Sequence, residues 1–273
     1  MKILFTGHRG FLGQELIPLL SEEVQVEIYP NDLLDQENIK KFCELNKITH
    51  IIHAAVRGGR RTKTDTHEVL VNNVYINSNI FRVGLPVLSF CSGKIYNYEY
   101  PIENAIEGQF PNGLPSDYYG QSKFLTFEMA KTNPNVTFLR FFNVFGQLES
   151  ADRFIKSNAI RALKSKSLLV HKNIIMDFFF VQDTVPVLFD WLNCRLKYRE
   201  INLVYSKKTD LLSIATLISN IFNSNSEIVV ENHSNVNNYY GNGSRLEESL
   251  YPLIGLEEGI ERAFKDIQIS NNI

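Results

Sequence analysis

The sequence has few of the residues that build disulfide frameworks or metal centres. Among its 273 residues are three cysteines, an odd number, and one tryptophan. Cys43, Cys91 and Cys194 are widely spaced, in neither a disulfide pattern nor a metal-ligand pattern. We therefore expect no metal ion and take a reducing cytoplasm as the location.

Long apolar runs and a surplus of one charge are also absent. No apolar run approaches the ~20 residues that a membrane-spanning helix needs. The first residues are typical of a strand and a glycine turn rather than of a signal peptide. The 28 basic and 30 acidic residues leave a net charge of -2. These features argue against a membrane protein and against a nucleic-acid partner.

What the sequence does contain begins with a glycine-spaced turn. Apolar residues Ile3–Phe5 predict a buried strand, and leucines at helical spacing predict a helix after the turn. The glycines between them allow a sharp reversal and a close approach to phosphate, while the N–H groups at the helix start face the anion. We therefore predict a dinucleotide site, with a tight turn that binds no ligand as the alternative. The residues assigned to this site are Gly7, His8, Arg9, Gly10, Phe11, Leu12 and Gly13.

Strand and helix patterns alternate along the first half of the chain. Apolar runs predict strands at 24–29, 48–55, 86–91 and 136–142, and helical spacing predicts helices at 69–83 and 119–131. This alternation predicts an α/β fold of the Rossmann type, a doubly wound parallel sheet with helices on both faces.

The pattern is less regular after residue 146. It predicts strands at 178–181 and 201–205, a helix capped by Asp183 with Pro186 in its first turn, and a helix at 211–222. Residues 223–244 are rich in Asn and Ser and predict a loop or flap before a last helix. We expect residues 1–146 to form the dinucleotide-binding domain, to which 178–205 return. Residues 147–177 and 206–273 are expected to form mainly a small substrate-binding lobe.

The segment after the predicted second strand leaves two interpretations open. A dinucleotide fold carries an acid ~20 residues past its glycines that binds the adenosine ribose. Asp32 lies near that distance, although it follows Pro30. Asp32 and Asp35 are equally suited to capping the start of a helix.

Small and basic residues follow the predicted third strand. Ala54 and Ala55 suit a place where the backbone lies against a cofactor. The basic loop at 56–63 comes next, and it could bind a diphosphate or remain a solvated loop.

A phenol and an ammonium group share one face of the helix predicted at 119–131. Tyr119 and Lys123 are four residues apart, and Ser92 follows the strand predicted at 86–91. A free tyrosine titrates near ~10, but a neighbouring lysine stabilises its phenolate, so the pair can move a proton at a substrate oxygen. Ser92 can bind the same oxygen, because open α/β sheets bind ligands at the carboxyl ends of their strands. We predict these three residues as catalytic, with an ordinary surface pair as the alternative.

Together these segments resemble the extended short-chain dehydrogenase/reductase family of NAD(P)-dependent nucleotide-sugar epimerases, dehydratases and reductases. The resemblance covers nearly the whole chain, and within the family it is greatest to GDP-fucose synthase-like enzymes and 4-keto-sugar reductases. The motifs that carry it are Thr6-Gly7-x-x-Gly10-x-x-Gly13, Asp32-Leu33-Leu34-Asp35, His53-Ala54-Ala55, Asn73-Val74, Ser92-x-x-x-Tyr96, Tyr119-x-x-x-Lys123, Arg140-Phe141-Phe142-Asn143-Val144-Phe145-Gly146 and Asp177-Phe178.

The resemblance implies that Ser92, Tyr119 and Lys123 form a catalytic triad. It implies a homodimer formed through a helix bundle that includes the Tyr119 helix. Further cofactor contacts are expected at Asp32, Leu33, Ala54, Ala55, Asn73, Phe90, Cys91, Tyr119, Lys123, Phe141, Phe142, Asn143 and Val144. Substrate contacts are expected at Arg57, Lys94, Asn143, Arg153 and Arg161. The cofactor is NADP or NAD, and Arg9 favours NADP because it can reach a 2′-phosphate from inside the glycine turn.

The chain departs from the family pattern at three positions. GDP-fucose synthases carry a cysteine and a histidine for epimerisation where this chain has Lys94 and Arg153, which are poor substitutes for that acid/base pair. Some 4,6-dehydratases have Asp-Lys after the serine or threonine, whereas the residue before Lys94 here is Gly93. Met176 stands where the family has an arginine that grips the diphosphate, so a cation elsewhere must replace it or the substrate differs.

We therefore expect an NAD(P)H-dependent reductase of a 4-keto nucleotide sugar, acting in deoxysugar biosynthesis for surface polysaccharide. The alternatives are a nucleotide-sugar 4-epimerase, a 4,6-dehydratase and a cofactor-binding protein without catalytic activity.

Overall fold

A central parallel sheet of six strands organises the computed structural model, which describes residues 1–59, 63–232 and 237–267. In chain order the strands are β1 (Lys2–Thr6), β2 (Gln25–Ile28), β3 (His50–His53), β4 (Val87–Ser92), β5 (Ile102–Ala105), β6 (Val136–Phe141), β7 (Val144–Phe145), β8 (Leu168–Lys172), β9 (Phe179–Phe180), β10 (Glu200–Leu203), β11 (Ile228–Asn232) and β12 (Tyr239–Gly241). The α-helices are α1 (Phe11–Ser21), α2 (Gln36–Leu45), α3 (His67–Phe81), α4 (Tyr118–Ala130), α5 (Phe154–Leu163), α6 (Val185–Leu192), α7 (Leu211–Ile221), α8 (Ser244–Glu247) and α9 (Leu256–Phe264).

The order of strands in the sheet locates its ligand-binding edge. The order is β10-β6-β4-β3-β1-β2, with every neighbouring pair parallel. The chain leaves β1 on one side to form β2 and then crosses to the other side to form β3. A crevice opens at such a switch point, beyond the carboxyl ends of the strands. The predicted α/β fold of the Rossmann type is therefore confirmed.

Burial on both faces explains why the strands read as continuous apolar runs. Every residue of β6 is buried, and in β1 the segment Ile3–Phe5 is wholly buried. A parallel sheet covered by helices on both faces has no solvent-facing side, so alternation is lost. Leu16 and Leu20 of α1 pack into the core on one side of the sheet.

Within the described ranges, three short parallel pairs of strands lie beside the central sheet. β7 pairs with β9, β8 pairs with β11, and β5 pairs with β12. The prediction of a loop throughout 223–244 is therefore wrong for β11 and β12, while residues 233–236 lie outside the described part of the chain. The Asn- and Ser-rich composition predicts a loop. These strands form because they pair with β8 and β5, which are distant in sequence.

Two predictions around residue 180 need correction. The strand expected at 178–181 is just two residues long, and a 3₁₀ turn at Val181–Thr184 follows it. Asp183 does not cap α6, because Thr184 occupies the capping position. The Asp183 carboxylate instead accepts hydrogen bonds from the backbone N–H groups of Ile254 and Gly255, just before α9. Pro186 does lie in the first turn of α6, as predicted.

None of the helices in the described ranges has both the length and the apolar character needed to cross a membrane.

Candidate active site

The glycine turn after β1 is shaped by close backbone contacts. Gly7 has a φ of 81°, and a Cβ placed on it would lie 2.6 Å from the nitrogen of Ala55. A Cβ on Gly13 would lie 2.6 Å from the carbonyl oxygen of Gly7. The end of β3 and the first turn of α1 can therefore approach this turn because these two positions lack side chains.

The residues of this turn fit a dinucleotide. Gly10 occupies the capping position of α1 and has no side chain with which to satisfy the N–H groups of the first turn. Those groups are suited to a diphosphate, whose charge the helix dipole also favours. His8 and Arg9 lie in the turn itself, where Arg9 is exposed.

Asp32 and Asp35 have different roles. Asp35 caps α2 through a hydrogen bond from the backbone N–H of Asn38 at 3.2 Å. Asp32 accepts a hydrogen bond from the backbone N–H of Leu34 at 3.1 Å and lies 3.7 Å from the guanidinium of Arg57. Helix capping therefore explains Asp35, while Asp32 is free of that task and lies on the side of the crevice that β2 borders.

Asn73 is almost fully buried and holds the segment after β3 in place. Its side-chain amide donates to the Arg57 carbonyl oxygen at 2.9 Å, and its side-chain oxygen accepts from the Arg57 backbone N–H at 2.8 Å. The same amide reaches the Ser122 hydroxyl on α4 at 3.2 Å. These bonds give Asn73 a structural task between α3, α4 and the segment at 57.

A cavity of about 630 Å³ opens beyond the carboxyl ends of β3, β4 and β6. Its walls combine residues that the sequence predicts for cofactor, catalysis and substrate. From the predicted cofactor set they include Leu12, Ala54, Phe90, Cys91, Phe141, Phe142, Asn143 and Val144. The predicted catalytic residues Ser92, Tyr119 and Lys123 also line this cavity, together with Lys94 and Arg153.

Ser92, Tyr119 and Lys123 come from two elements that the tertiary fold brings together. Ser92 ends β4, and its hydroxyl oxygen accepts a hydrogen bond from the Lys94 backbone N–H at 3.2 Å, which leaves the hydroxyl proton available to a ligand. Tyr119 and Lys123 lie in the first turns of α4, which Asp117 caps. The Lys123 ammonium lies 5.6 Å from the centre of the Tyr119 ring.

The backbone at Gly59 covers one edge of the Tyr119 ring. Gly59 has a φ of 72°, and a Cβ on it would lie 2.8 Å from Cε2 of Tyr119. Its N–H donates to both carboxylate oxygens of Asp65 at 3.1 Å. The first part of the predicted basic loop thus closes over the phenol, while residues 60–62 of that loop lie outside the described part of the chain.

His53 lies buried behind the cavity, at the end of β3. Burial, reinforced by the nearby Lys123 charge, lowers the pKa of His53 to about 3. The neutral ring makes a 2.6 Å hydrogen bond with the Thr6 hydroxyl, which joins the ends of β3 and β1. At neutral pH the His53 ring beside Lys123 is therefore uncharged and does not repel the ammonium.

Of the basic residues predicted to contact substrate, two line the cavity and two do not. Lys94 and Arg153 line the cavity, and the Lys94 ammonium lies 3.6 Å from the centre of the Tyr98 ring. Arg57 lies beside Asp32 and does not line the cavity. Arg161 does not line it either, since its Nε donates to the Ser167 carbonyl oxygen at the turn between α5 and β8.

A buried acid adjoins Arg153. Glu149 lies 3.7 Å from the Arg153 guanidinium, and burial raises the pKa of Glu149 to about 8, although the charges of Arg153 and Lys156 oppose the increase. Glu149 is therefore mostly protonated at neutral pH. Protonated Glu149 does not offset the positive charge that Arg153 brings to the cavity wall, where Met176 contributes no charge.

Asn143 lies just after β6, the strand that pairs with β4, and supports the cavity wall. Its side-chain amide donates to the Asp177 carbonyl oxygen at 2.9 Å, and its own carbonyl oxygen accepts from the Phe179 backbone N–H at 3.0 Å. Asp177 in turn accepts a hydrogen bond from Lys208 at 2.9 Å and one from the backbone N–H of Gly241 at 2.7 Å. These bonds attach β12 to the cavity wall.

The model of the NAD dependent epimerase/dehydratase family matches residues 3–202, a span that runs from β1 into β10 and includes the glycine turn, Ser92, Tyr119 and Lys123. The chain belongs to this family. It is an NAD(P)-dependent oxidoreductase or epimerase of the extended short-chain dehydrogenase type, and its cofactor is a nicotinamide dinucleotide.

Relatives in this epimerase/dehydratase family share low sequence identity with the chain. GDP-6-deoxy-D-talose 4-dehydrogenase of Aggregatibacter actinomycetemcomitans is 23% identical over an alignment of 222 residues, and the match covers 74% of this chain and 74% of that protein. The solved structure of a GDP-mannoheptose C4 reductase from Campylobacter jejuni with NADP bound has a TM-score of 0.77 at 18% identity and covers 97% of both chains. UDP-glucose 4-epimerase of Thermotoga maritima has the same TM-score at 17% identity, over 97% of this chain and 98% of that one. At these identities the two structures show the shared fold.

Sequence reasoning missed several residues that line the cavity of this family member. They are Tyr98, Tyr100, Ile102, Ile174, Asn237, Asn238 and Tyr239. Val56 and Gly59 also line the cavity, and they lie in the basic loop for which a diphosphate is one of the two predicted roles. Tyr98 and Tyr100 follow Ser92 closely, so their short distance in sequence was a usable signal. Tyr239 lies in a segment that was predicted to be loop, and the paired aromatics before Gly241 were its sole strand signal.

Proposed function

We propose that this protein is an NAD(P)H-dependent reductase of a 4-keto nucleotide sugar, acting in deoxysugar biosynthesis for surface polysaccharide. The observation that carries the proposal is the convergence of Ser92, Tyr119 and Lys123 on one cavity, beside a glycine turn that fits a dinucleotide. A proton donor, a cation to stabilise its anion and a hydroxyl to bind a carbonyl are the groups that a carbonyl reduction requires.

Each of the three side chains has one task in the reduction. The nicotinamide of a dinucleotide bound at the glycine turn would supply the hydride that the carbonyl carbon accepts. Tyr119 gives its hydroxyl proton to the carbonyl oxygen, and the Lys123 ammonium stabilises the phenolate that remains until solvent returns a proton. Ser92 donates a hydrogen bond to the same oxygen and holds the carbonyl in place.

A nucleotide-sugar substrate is supported by the relatives and by two cations. The names of the similar proteins specify GDP- and UDP-linked sugars. Arg153 takes over the diphosphate contact that Met176 cannot make, because its guanidinium lines the cavity and protonated Glu149 does not offset its charge. Lys94 lies on the same cavity and supplies a second positive charge. An arginine guanidinium is well suited to a diphosphate, since it can donate two parallel hydrogen bonds.

NADP is the proposed cofactor. Arg9 is exposed inside the glycine turn, and Arg57 lies 3.7 Å from Asp32, where it offsets the repulsion between that carboxylate and a 2′-phosphate. Fluorescence titration with NADPH and NADH tests this assignment. Arg9→Ala is expected to weaken NADPH binding about tenfold, the effect of one phosphate contact, and to leave NADH binding unchanged.

A homodimer formed through α3 and α4 is also proposed. These two helices pack on each other and leave Tyr75, Leu125 and Met129 exposed, which is unusual for side chains of this size. Light scattering of wild type and Leu125→Lys tests the proposal, since a lysine in the interface would shift a dimer towards monomer.

The reductase proposal is tested by following NADPH absorbance with the keto sugar obtained by oxidising GDP-6-deoxy-D-talose at C4. Wild type is expected to consume NADPH in step with the loss of the keto sugar, and Tyr119→Phe is expected to lose at least ~99% of that rate. Full activity in Tyr119→Phe would reject the assignment. Protein that retains tightly bound NAD through chromatography and interconverts C4 epimers would instead support a nucleotide-sugar 4-epimerase.

A further inference from the structure

A second tyrosine reaches the predicted catalytic residues from a distant part of the chain. Tyr239 belongs to β12, and its side chain lines the same cavity as Ser92 and Tyr119. Its hydroxyl oxygen is buried and has no hydrogen-bond partner among the described residues. A buried hydroxyl without a partner costs stability, so its retention needs a reason.

The position of this hydroxyl depends on a glycine beside Ser92. A Cβ on Gly93 would overlap the Tyr239 hydroxyl oxygen and would lie 2.8 Å from Cδ1 of Phe142. The Tyr239 and Phe142 rings are in contact, with centroids 5.1 Å apart. The space left by the missing side chain at Gly93 is therefore the space that the Tyr239 hydroxyl uses.

Backbone hydrogen bonds on both sides fix Tyr239 in this position. Its N–H donates to the Ile175 carbonyl oxygen at 2.9 Å, and its carbonyl oxygen accepts from the Asp177 N–H at 3.3 Å. The Asp177 carboxylate then binds the backbone N–H of Gly241, as described above. β12 is thus held at Tyr239 and at the end of the strand, so the hydroxyl is oriented before a ligand arrives.

The surroundings keep the hydroxyl protonated. Burial, and then the neighbouring phenols of Tyr119 and Tyr96, raise the pKa of Tyr239 well above its ordinary value. The Ser92 hydroxyl faces the Tyr239 oxygen without reaching hydrogen-bond geometry. Its effect on the pKa of Tyr239 is a slight lowering, which burial outweighs. Tyr239 is therefore a hydrogen-bond donor and not a second base.

We propose that the Tyr239 hydroxyl binds the reacting oxygen of the sugar together with Ser92, as a second hydrogen-bond donor beside the proton donor Tyr119. The inference rests on the proposed reductase function. As hydride adds to the carbonyl carbon, the C=O π bond breaks and its electron pair moves to oxygen, which then has three lone pairs. One pair takes the Tyr119 proton, and the other two accept hydrogen bonds from Ser92 and Tyr239.

The experiment compares Tyr239→Phe with wild type, Tyr119→Phe and the neighbouring control Tyr240→Phe. The assay is the NADPH consumption with the GDP-linked 4-keto sugar described above. Tyr239→Phe is expected to lower kcat about 10- to 100-fold with a smaller change in KM, because one of two donors to the developing anion is lost. The pH dependence of its kcat should match that of wild type, since Tyr119 still supplies the proton. Tyr240→Phe should keep wild-type kcat.

A substrate-free measurement separates this role from a structural one. Because the Tyr239 hydroxyl has no hydrogen-bond partner in the described part of the chain, Tyr239→Phe should unfold at the wild-type temperature or a few degrees above it. A clear fall in unfolding temperature would overturn the inference, and so would an unchanged kcat. If wild type reduces the keto sugar and Tyr119→Phe does not, an active Tyr239→Phe rejects this inference alone. If wild type reduces no keto sugar, the reductase proposal fails and this inference fails with it.

Discussion

The ammonium of Lys123 donates a hydrogen bond to the backbone carbonyl oxygen of Phe90 at 3.0 Å. This bond joins the helix that carries Tyr119 to the strand that ends in Ser92. The lysine therefore connects the helix of Tyr119 to the strand of Ser92 as well as supplying a charge. Its two tasks can be separated by measuring stability and activity in the same variants.

Removal of the Lys123 charge should affect activity far more than stability. We expect Lys123→Met to lower kcat about 100-fold or more, because the Tyr119 phenolate loses its counter-charge. Loss of the Phe90 bond should lower the free energy of unfolding by about 1 kcal/mol. Steady-state kinetics and urea unfolding measure both effects. Lys131→Met, at an exposed position just after the same helix, is the control and should retain activity; equal losses in the two variants would contradict the assignment.

The glycine turn allows a matched test of close approach against backbone strain. Gly7 and Gly84 both have positive φ, 81° and 87°, but a Cβ at Gly84 would meet no atom of the described residues within 4 Å. Gly84→Ala should therefore show strain alone, about 1–2 kcal/mol. Gly7→Ala should destabilise the protein further and abolish NADPH binding, because its Cβ would overlap the backbone of Ala54 and Ala55. Urea unfolding measures the loss of stability, and NADPH fluorescence measures the loss of affinity. An equal fall in NADPH affinity in Gly7→Ala and Gly84→Ala would show that backbone strain causes it, and not the overlap with Ala54 and Ala55.

The diphosphate contact can be tested with two arginines of one helix region. Arg153 precedes α5 and lines the cavity, whereas Arg161 lies near the end of α5 and binds the Ser167 carbonyl oxygen. Arg153→Gln should raise KM for the nucleotide sugar about 10- to 100-fold, the effect of losing a charge-assisted hydrogen bond, with less change in kcat. Arg161→Gln should leave KM near its wild-type value. The opposite result would place the substrate phosphates elsewhere.

The buried acid beside Arg153 predicts a dependence of stability on pH. The pKa of Glu149 is about 8 in the folded protein, against an ordinary value of 4.5. Between these values the folded chain holds a proton that the unfolded chain releases, so stability is lost as the pH rises from about 4.5 to about 8. Glu149→Gln should therefore be more stable than wild type at pH 9, by an amount on the order of several kcal/mol at most, and similar to it at pH 5.

Unfolding temperatures at pH 5, 7 and 9 measure this difference. Glu247→Gln, at an exposed position, is the control and should track wild type throughout. A Glu149→Gln variant whose advantage does not grow with pH would show that Glu149 is ionised in the folded protein.

Local patterns were enough to predict the central sheet and the glycine turn. The strand predicted at 86–91 is β4 at Val87–Ser92, and the helix predicted at 119–131 is α4 at Tyr118–Ala130. Buried parallel strands and amphipathic helices carry their own apolar signal, and glycine at a strand-to-helix turn has few other causes. Such features depend on neighbours in sequence.

Features that depend on distant partners were not predictable in this way. The sequence predicts Asp183 as the cap of the helix that follows it, but its carboxylate binds the backbone before α9, about 70 residues away in sequence. Arg57 is predicted to contact substrate, and the structure places its guanidinium 3.7 Å from Asp32 and outside the lining of the cavity. A charged side chain can form an ion pair or hydrogen bond with several partners, and the sequence does not show which of them lies nearest in the fold.

By itself the sequence determined the fold class, the dinucleotide turn and the three residues predicted for catalysis, because each lies in a short motif with a local physical cause. The tertiary structure decided which cations reach the cavity and brought Tyr239 to Ser92 across 147 positions of the chain. That placement depends on the pairing of β12 with β5 and on the space beside Gly93. Strand pairing and side-chain packing between distant segments arise from the folded chain as a whole, and so no local pattern records them.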